Sequence, residues 1–323
     1  DNFYNLTRLQ YLDFTGNQFE SVPGELFHGT RLKAVIGFDV VNLPVDIFTN
    51  LTPLRQLDII LHHKEVPQAL FKNLSLNIAN VHLTQAQTIP ETLFIESFIS
   101  MTSLYISGDN LTELSKNLYK PLTVLQKIKI ATKSMKTLPL SIFNVQLADK
   151  TDGDYRRLKE IKLDGVLSIP STIFNDLPYL ETLEIHGLKT RLDSSIFKQL
   201  TTLTSLDLSR NNISSLDHEW FSTLFRLKSL NLSFTLLPGL EQDVFTNLRS
   251  LDILDLSHNS IPNIDPMCFS TFRMELDELD LSYNDICQLP DDIFKEMFDL
   301  KVLKLSENCL PELPNILLND LQS

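Results

Sequence analysis

The chain has 323 residues, more than the ~250–300 at which one hydrophobic core usually stops growing, so two domains or an elongated array are expected. Apolar residues make up 43% of it, enough to bury a core, and no run of about 18 apolar residues could span a bilayer. Its formal charge of −13 repels phosphate backbones and anionic lipids, which argues against nucleic acid or a membrane surface as the primary partner.

A unit of about 24 residues recurs along the chain with the pattern Leu-x-x-Leu-x-Leu-x-x-Asn-x-Leu-x-x-Leu-Pro-x-x-x-Phe. In the clearest unit, Leu206 and Leu208 alternate with polar Ser205, Asp207 and Ser209, as in a strand with one buried face. Thirteen units open at Leu9, Leu32, Leu54, Ile78, Met101, Leu125, Leu158, Leu180, Leu203, Leu227, Leu251, Leu276 and Leu300. This predicts an α/β solenoid, a leucine-rich-repeat horseshoe with a concave parallel β-sheet and a mostly loop or short-helical convex side.

Three further residue types recur at fixed places in the unit and are expected to be structural. The amide of an asparagine after the strand can pair with backbone groups of neighbouring turns, at Asn17, Asn211, Asn259, Asn284 and Asn308. A phenylalanine on the return segment predicts an apolar spine behind the sheet, at Phe27, Phe48, Phe71, Phe94, Phe143, Phe174, Phe197, Phe221, Phe245, Phe269 and Phe294. Prolines fix φ where the chain leaves the sheet, at Pro23, Pro44, Pro67, Pro90, Pro139, Pro170 and Pro290.

The early units depart from this pattern. Several are one or two residues short, and residues that cannot replace the asparagine amide stand near its position, at Val40, Ala86, Lys133, Val166 and Leu188. A charged insertion occupies 144–157 and is expected on the convex or lateral side, as decoration or as a functional loop. We expect residues 1–323 to form one solenoid that lacks both terminal caps, an internal piece of a longer protein.

The outward strand positions of the early units are the candidate ligand-binding surface. They mix apolar, aromatic and basic side chains, as interface anchors do, at Ile36, Phe38, Ile60, Tyr105, Lys129 and Lys162. The alternative is that the irregular second and third units turn the first three of these inward. The later outward positions are mostly Ser and Asp; Asp207, Asp255 and Asp280 are interpreted as ordinary filler of this repeat type.

The sequence offers no catalytic constellation. A glycine-rich phosphate cradle and a Gly-x-Ser-x-Gly elbow are both missing, and the histidines, among them His82, His186 and His258, are interpreted as solvated side chains. No metal site, cofactor or enzyme activity is expected. Cys268, Cys287 and Cys309 form no C-x-x-C pair; a bridge between the last two is conceivable, but free thiols are preferred.

Six Asn-x-Ser/Thr sequons favour an extracellular location, because all six should face solvent, where an oligosaccharide can be carried. They lie at Asn5, Asn50, Asn73, Asn110, Asn212 and Asn231.

The unit with its phenylalanine spine, as in 203–221 and 276–294, resembles that of Toll-type receptor ectodomains, and the uneven early units resemble invertebrate Toll receptors. The resemblance implies a single-pass receptor of innate immunity or development that binds a cystine-knot cytokine of the Spätzle type near its amino-terminal half. The membrane span and signalling domain would lie outside this chain, and receptor dimerisation is a further expectation. The alternatives are an extracellular adhesion or guidance protein and an intracellular repeat scaffold.

Overall fold

The structure is a computed structural model that describes Phe3 and residues 6–49, 51–94, 100–143 and 158–312. The chain divides into two compact units, Asp1–Ile173 and Phe174–Ser323, called unit 1 and unit 2 below. The insertion expected at 144–157 lies outside the described residues.

The described residues of unit 1 form eight parallel strands. Seven of them pair in chain order, β1 with β3 and then each with the next to β8, while β2 pairs with the far end of β3. The strands are β1 Tyr11–Asp13, β2 Gln18–Ser21, β3 Ala34–Asn42, β4 Gln56–Leu61, β5 Ile78–Leu83, β6 Ser103–Gly108, β7 Lys127–Thr132 and β8 Glu160–Asp164. Within each of β4 to β7, every second residue is buried, which is the alternation expected of strands with one covered face.

In the part of unit 2 that the structure describes there are six parallel strands, again paired in chain order, and all but the first are short. They are β9 Thr182–His186, β10 Ser205–Asp207, β11 Ser229–Asn231, β12 Ile253–Asp255, β13 Glu278–Asp280 and β14 Val302–Lys304. On the return side of the turns, two short 3₁₀ helices span Ser194–Phe197 and Pro266–Phe269; the described residues contain no α-helix. The predicted leucine-rich-repeat fold class is confirmed in both units.

One repeat opens earlier than the sequence pattern predicted. Leu57 pairs with Ala79 and Ala79 with Leu104, so the residue equivalent to Leu54 and Met101 is Leu76, and Ile78 is already the first residue of β5. Leu76 is fully buried, whereas Ile78 is only half-buried. The prediction failed because both residues are apolar and the preceding unit, from Leu54 to Leu76, has only 22 residues instead of about 24.

The phenylalanine spine is confirmed. All eleven predicted rings are at most 2% exposed, and several consecutive rings stack, as Phe71 does on Phe94 with centroids 6.2 Å apart. Tyr119 takes the spine position in the unit that lacks phenylalanine and stacks on Phe143 at 6.4 Å. Burial raises the pKa of its hydroxyl above the usual range.

The prolines start the return segments. The carbonyl oxygen of each accepts a hydrogen bond from the backbone N–H three residues later, at Pro23, Pro44, Pro67, Pro90, Pro139, Pro170 and Pro290. Each proline thus occupies the first position of a tight turn outside the sheet, where no ladder donor is required.

The asparagine ladder is confirmed in unit 2. The Oδ1 atom of Asn211 accepts from the N–H of Leu188 at 2.9 Å, and its Nδ2 donates to the carbonyls of Ile185 and Leu208 at 2.6 and 2.8 Å. Asn259, Asn284 and Asn308 repeat this arrangement. Asn17 differs, because it is exposed and its side chain donates one hydrogen bond, to the carbonyl of Phe14.

The outward placement of Phe38 is wrong. The pairing of β3 with β4 skips a residue between Val35 and Phe38, so the alternation of faces changes phase there. Gly37 permits this bulge: its φ is +60°, and a Cβ on it would lie 2.6 Å from the Cα of Thr15. Phe38 is consequently 0% exposed and packs against Phe27 with centroids 5.3 Å apart.

The preference for free thiols at Cys287 and Cys309 is also wrong. The two residues are joined by a disulfide, with Cα atoms 4.5 Å apart on adjacent turns. Stacking brings residues 22 positions apart side by side, a proximity that follows from the repeat itself. Cys268 is a buried free thiol, and burial raises its pKa to about 11.

Candidate ligand-binding face

Five neighbouring strands of unit 1 place one outward residue each at the same height of the sheet. Asp58 pairs with Asn80, Asn80 with Tyr105, Tyr105 with Lys129 and Lys129 with Lys162. We call these five residues the Tyr105 row. The structure therefore brings together three residues singled out from the sequence, Tyr105, Lys129 and Lys162.

Tyr105 is fixed by the side chains on both sides. The His82 ring meets it edge-on, with centroids 5.1 Å apart, and the Lys129 ammonium lies 4.7 Å from the centre of its ring. Both are favourable contacts for an aromatic ring, and the second places a cation on a half-buried apolar surface. The ring is thus a pre-ordered anchor with an adjacent charge, which lowers the entropic cost of binding a partner.

Two lysines of this face, Lys162 in the row and Lys127 beside it, are partly neutralised by Glu160. The Glu160 carboxylate forms salt bridges with the ammonium groups of Lys127 at 2.7 Å and Lys162 at 3.2 Å. Burial raises the pKa of the Glu160 carboxyl, but the hydrogen bonds from these lysines outweigh it and hold the pKa below the usual range.

Two histidine relays cross the same face, and neither was identified from the sequence. His62 lies 2.6 Å from Asp39 through Nε2 and 3.1 Å from the Thr84 hydroxyl through Nδ1. His82 lies 2.6 Å from the Ser107 hydroxyl through Nδ1 and 3.5 Å from Asp58 through Nε2. In each relay an imidazole bridges an acid on the preceding strand to a hydroxyl on or after the following strand.

The relays had a weak sequence signal. Once strands are aligned by repeat, His82 stands opposite Ser107, and both positions are outward. The position of Asp39 could not be predicted in this way, because the bulge at Gly37 decides on which face of the sheet this residue lies.

The acid, imidazole and hydroxyl of the second relay are the groups of a serine nucleophile site, yet the geometry favours positioning over catalysis. The 3.5 Å between His82 and Asp58 is longer than a hydrogen bond. Because β6 is paired with β5 on one side and β7 on the other, the sheet uses the backbone N–H groups around Ser107 that an oxyanion hole would need. No group of three or more potential metal ligands occurs in the described part of the chain.

A shallow groove of about 550 Å³ adjoins the row at the carboxyl ends of β5 to β8. Its wall includes His82, Tyr105, Ser107 and Gly165, together with the pair that Lys133 and Asp109 form at 2.6 Å. Gly165 has φ +76° and lies so close to the Thr132 carbonyl that a Cβ would overlap it. The groove joins an aromatic ring to polar groups of both charges.

The remaining predicted residues lie apart from the row. Ile60 is half-buried and pairs with His82, one step further along the strands. Ile36 is half-buried, sits at the start of the bulge and pairs with Asp13 of β1. Of the three residues whose direction was open, only Phe38 turns into the core.

The acidic residues on the outer face of unit 2 hold the turns. Oδ1 of Asp207, Asp255 and Asp280 accepts from the N–H two residues later at 2.8 to 3.0 Å. Asn231 makes the same bond to Ser233, at 2.9 Å. This is the Asx-turn geometry, which agrees with a structural interpretation of these side chains.

The sequons fall into three groups. Asn73 and Asn212 are exposed. Asn110 is exposed but donates to the Thr84 carbonyl at 2.8 Å, and Asn231 is half-buried with its amide bonded to Asp207 and Ser233. Asn5 and Asn50 lie outside the described residues.

Two family models match the sequence. A model described as "Leucine rich repeat" matches residues 186–237, 225–286 and 274–323, and one described as "BspA type Leucine rich repeat region (6 copies)" matches 1–98 and 43–148. Leucine-rich-repeat models therefore match residues in both units, in agreement with the fold. Comparison with curated proteins finds no match.

Solved structures share the fold at low sequence identity. The glycosylated form of the Drosophila Toll–Spätzle complex has a chain 22% identical, with a TM-score of 0.70, over 98% of this chain and 47% of that one. A chain of a TLR13–ssRNA13 complex is 20% identical, with a TM-score of 0.58, over 99% of this chain and 56% of that one. An internalin of Listeria monocytogenes is 17% identical, with a TM-score of 0.61, over 95% of this chain and 83% of that one. This chain thus spans less than half of the Toll chain. In its described part no helix is long and apolar enough to cross a membrane.

Proposed function

We propose that this chain is the ligand-binding part of the extracellular region of a Toll-type receptor, and that it acts by binding and not by catalysis. The observation that carries the proposal is the Tyr105 row with its two relays. An ordered aromatic ring, cations and hydrogen-bonding groups occupy adjacent strands of one face, a composition typical of protein-binding hot spots. Ile60 is the apolar contact proposed beside the row, and Ile36 is a peripheral one.

An extracellular location is supported by the Cys287–Cys309 disulfide, since such bonds persist in oxidising compartments. The exposed sequons Asn73 and Asn212 support it further. Both features argue against the alternative of an intracellular scaffold. The adhesion or guidance alternative would share them, so only the partner separates it from a receptor.

The partner we propose is a Spätzle-type cystine-knot cytokine. The sequence resemblance to Toll receptors and the shared fold with the Toll chain of a Toll–Spätzle complex support this choice. The TLR13 complex contains RNA, but here Glu160 pairs with Lys127 and Lys162 and Asp109 pairs with Lys133, so no nucleic-acid partner is proposed. Attachment to the membrane is proposed through a span outside this chain.

The test is a titration of the purified chain with recombinant Drosophila Spätzle cytokine domain. Tyr105→Ala and Lys129→Glu should each weaken binding about tenfold, which is about 1.4 kcal/mol. Lys189→Glu, an exposed lysine of unit 2, is the charge-matched control and should change nothing. No cytokine binding, or a control that weakens binding while the other two variants do not, would overturn the partner or the site.

Glycan mapping of protein from a secretory host tests the compartment separately. Asn73 and Asn212 should be occupied, and Asn231 should be largely bare because its amide is held by Asp207 and Ser233. Enzymatic deglycosylation should lower the apparent mass. If both exposed sequons are bare, the extracellular proposal loses this support.

A further inference from the structure

Unit 2 carries a row of side chains that neither the fold nor the proposed ligand site uses. One residue per repeat, directly after the serine that follows each of β10 to β14, projects from the turn: Arg210, Phe234, His258, Tyr283 and Glu307. The first four are at one height in successive turns, because each backbone N–H donates to the serine carbonyl of the next repeat at 2.9 to 3.1 Å. We call these five residues the turn row.

Every residue of the turn row has left-handed backbone, with φ between +54° and +60°. Such a backbone costs a non-glycine residue roughly 1 kcal/mol, and glycine or asparagine would relieve it. The turn geometry demands the conformation, since the next position, an asparagine in most repeats, must point inward to the ladder. The geometry does not demand bulky rings at three consecutive positions.

Those three rings form a parallel stack on the surface. The centroids of Phe234 and His258 are 3.9 Å apart, and those of His258 and Tyr283 are 4.1 Å apart, with interplanar angles of 11° and 9°. Phe234 remains 46% exposed and Tyr283 48% exposed. Mutual stacking therefore orders the rings in advance and leaves their edges in water, and exposed, ordered aromatic surface is typical of contact sites.

The two ends of the turn row carry opposite charges, Arg210 at one and Glu307 at the other. A two-fold axis through His258 would place Arg210 opposite Glu307 of a second copy and Phe234 opposite Tyr283 of that copy. His258 would meet its own counterpart. This self-complementarity is the requirement of an isologous interface, in which one patch binds itself in antiparallel orientation.

We propose that the turn row is a contact surface for a second copy of this chain, paired antiparallel about His258. The row spans four strand spacings, about 19 Å, so the interface is smaller than the roughly 800 Å² per partner of stable complexes and the association is weak. Pairing through this row specifies how the expected receptor dimerisation could occur. It does not depend on the Tyr105 row, so a chain that binds no cytokine can still pair.

The test is sedimentation equilibrium of the purified chain from about 10 µM to about 1 mM, a range suited to a weak interface. About 150 mM salt screens the net charge of −13, which opposes association. Glycans are removed first, because Asn212 is two residues from Arg210. The average mass should rise from that of a monomer toward that of a dimer.

Charge reversal then tests the orientation. Arg210→Glu and Glu307→Arg should each weaken pairing about tenfold, because each sets like charges against each other, and the double variant should recover to within about threefold. Arg226→Glu, at an exposed arginine outside the row, should have no effect. Monomers up to about 1 mM, a double variant no better than the single ones, or an equal effect of the control would overturn the proposal.

Cross-linking gives a second measurement that needs no change of charge. The His258→Cys variant should form a disulfide-linked dimer under mild oxidation, since the axis brings this position next to its counterpart in the second copy. Ser214→Cys, also exposed, is the control. Equal cross-linking of the two variants would overturn the orientation even if the chain does pair.

Discussion

The two units build the same repeat with strands of different length. In unit 1, strands β3 to β8 are five to nine residues long, whereas β10 to β14 in unit 2 have three residues each. An apolar residue such as Leu61 or Leu83 continues the alternation in unit 1, so the backbone pairs itself for longer. In unit 2 the chain turns after the strand, and an asparagine pairs the backbone groups that the turn leaves open.

This difference decides which unit can present a ligand-binding surface on its strands. A six-residue strand exposes two or three outward side chains at successive heights, and unit 1 fills them with Tyr105, Lys129 and the histidine relays. In the three-residue strands β10 to β13 the central leucine is buried and the third residue is, in most repeats, the Asx-turn acid, so only the first residue is left without a structural role. Side chains that hold the turn are not free to be selected for a ligand.

Charged residues are also distributed differently between the two units. Residues 1–173 contain 17 Lys and Arg against 17 Asp and Glu, whereas residues 174–323 contain 11 against 24. The entire net charge of −13 therefore belongs to unit 2. A charged partner would be steered by unit 2, whereas the face of unit 1 selects by contact.

The largest expected effect tests what the units share. Phe71→Ala in unit 1 and Phe245→Ala in unit 2 both remove a fully buried spine ring, so each should lower the free energy of unfolding by about 3–5 kcal/mol. Urea denaturation measures both. Asp255→Ala is the control and should cost about 1 kcal/mol, the value of its turn hydrogen bond. A loss at Asp255 equal to that at Phe245 would contradict the assignment of the spine.

Replacing a ladder asparagine should lower the free energy of unfolding more in unit 2 than in unit 1. Asn259→Ala removes the acceptor for the N–H groups of Thr235 and Leu237 and should cost about 2–4 kcal/mol, because these donors are buried. Asn17→Ala, in unit 1, loses one exposed bond and should cost less than about 1 kcal/mol. Similar losses in chemical denaturation would mean that the ladder does not distinguish the units.

Removing the disulfide should cost about 3 kcal/mol, the loop entropy expected for residues 22 apart. The matched variant is Cys287→Ser with Cys309→Ser, compared with the wild type by thermal unfolding. A thiol assay provides the check: the native protein should show no reactive thiol, and the unfolded, unreduced protein should show one, from Cys268. Three thiols in the unfolded protein would show that the bridge is absent.

The features that recur in every repeat could be predicted from the sequence. The prediction failed where one extra residue shifts the register of a strand. Spine, ladder, strand order and the direction of Tyr105 and Lys129 follow from periodicity, because a recurring position meets a recurring environment. The direction of Phe38 depends on one inserted residue at Gly37, and a change of one reverses the face of all that follows. The disulfide and the relays depend on distances between neighbouring turns, which pattern alone does not give.

The smallest expected effect concerns pH and the turns of unit 2. Burial raises the pKa of Asp207 and of Asp280, but hydrogen bonds, from His186 to the first and from Ser282 to the second, outweigh it, so both values lie below the usual range. A lowered folded-state pKa stabilises the protein above the unfolded value of about 4, and this contribution is lost as pH falls through the folded value. Asp207→Asn with Asp280→Asn keeps the turn geometry, since Asn231 makes the same bond naturally, but removes the titration. Between pH 7 and pH 3 the variant should therefore lose about 1 kcal/mol less than the wild type in urea unfolding, a small value because both groups are partly solvated. Equal losses would show that these carboxylates do not link unit 2 to pH.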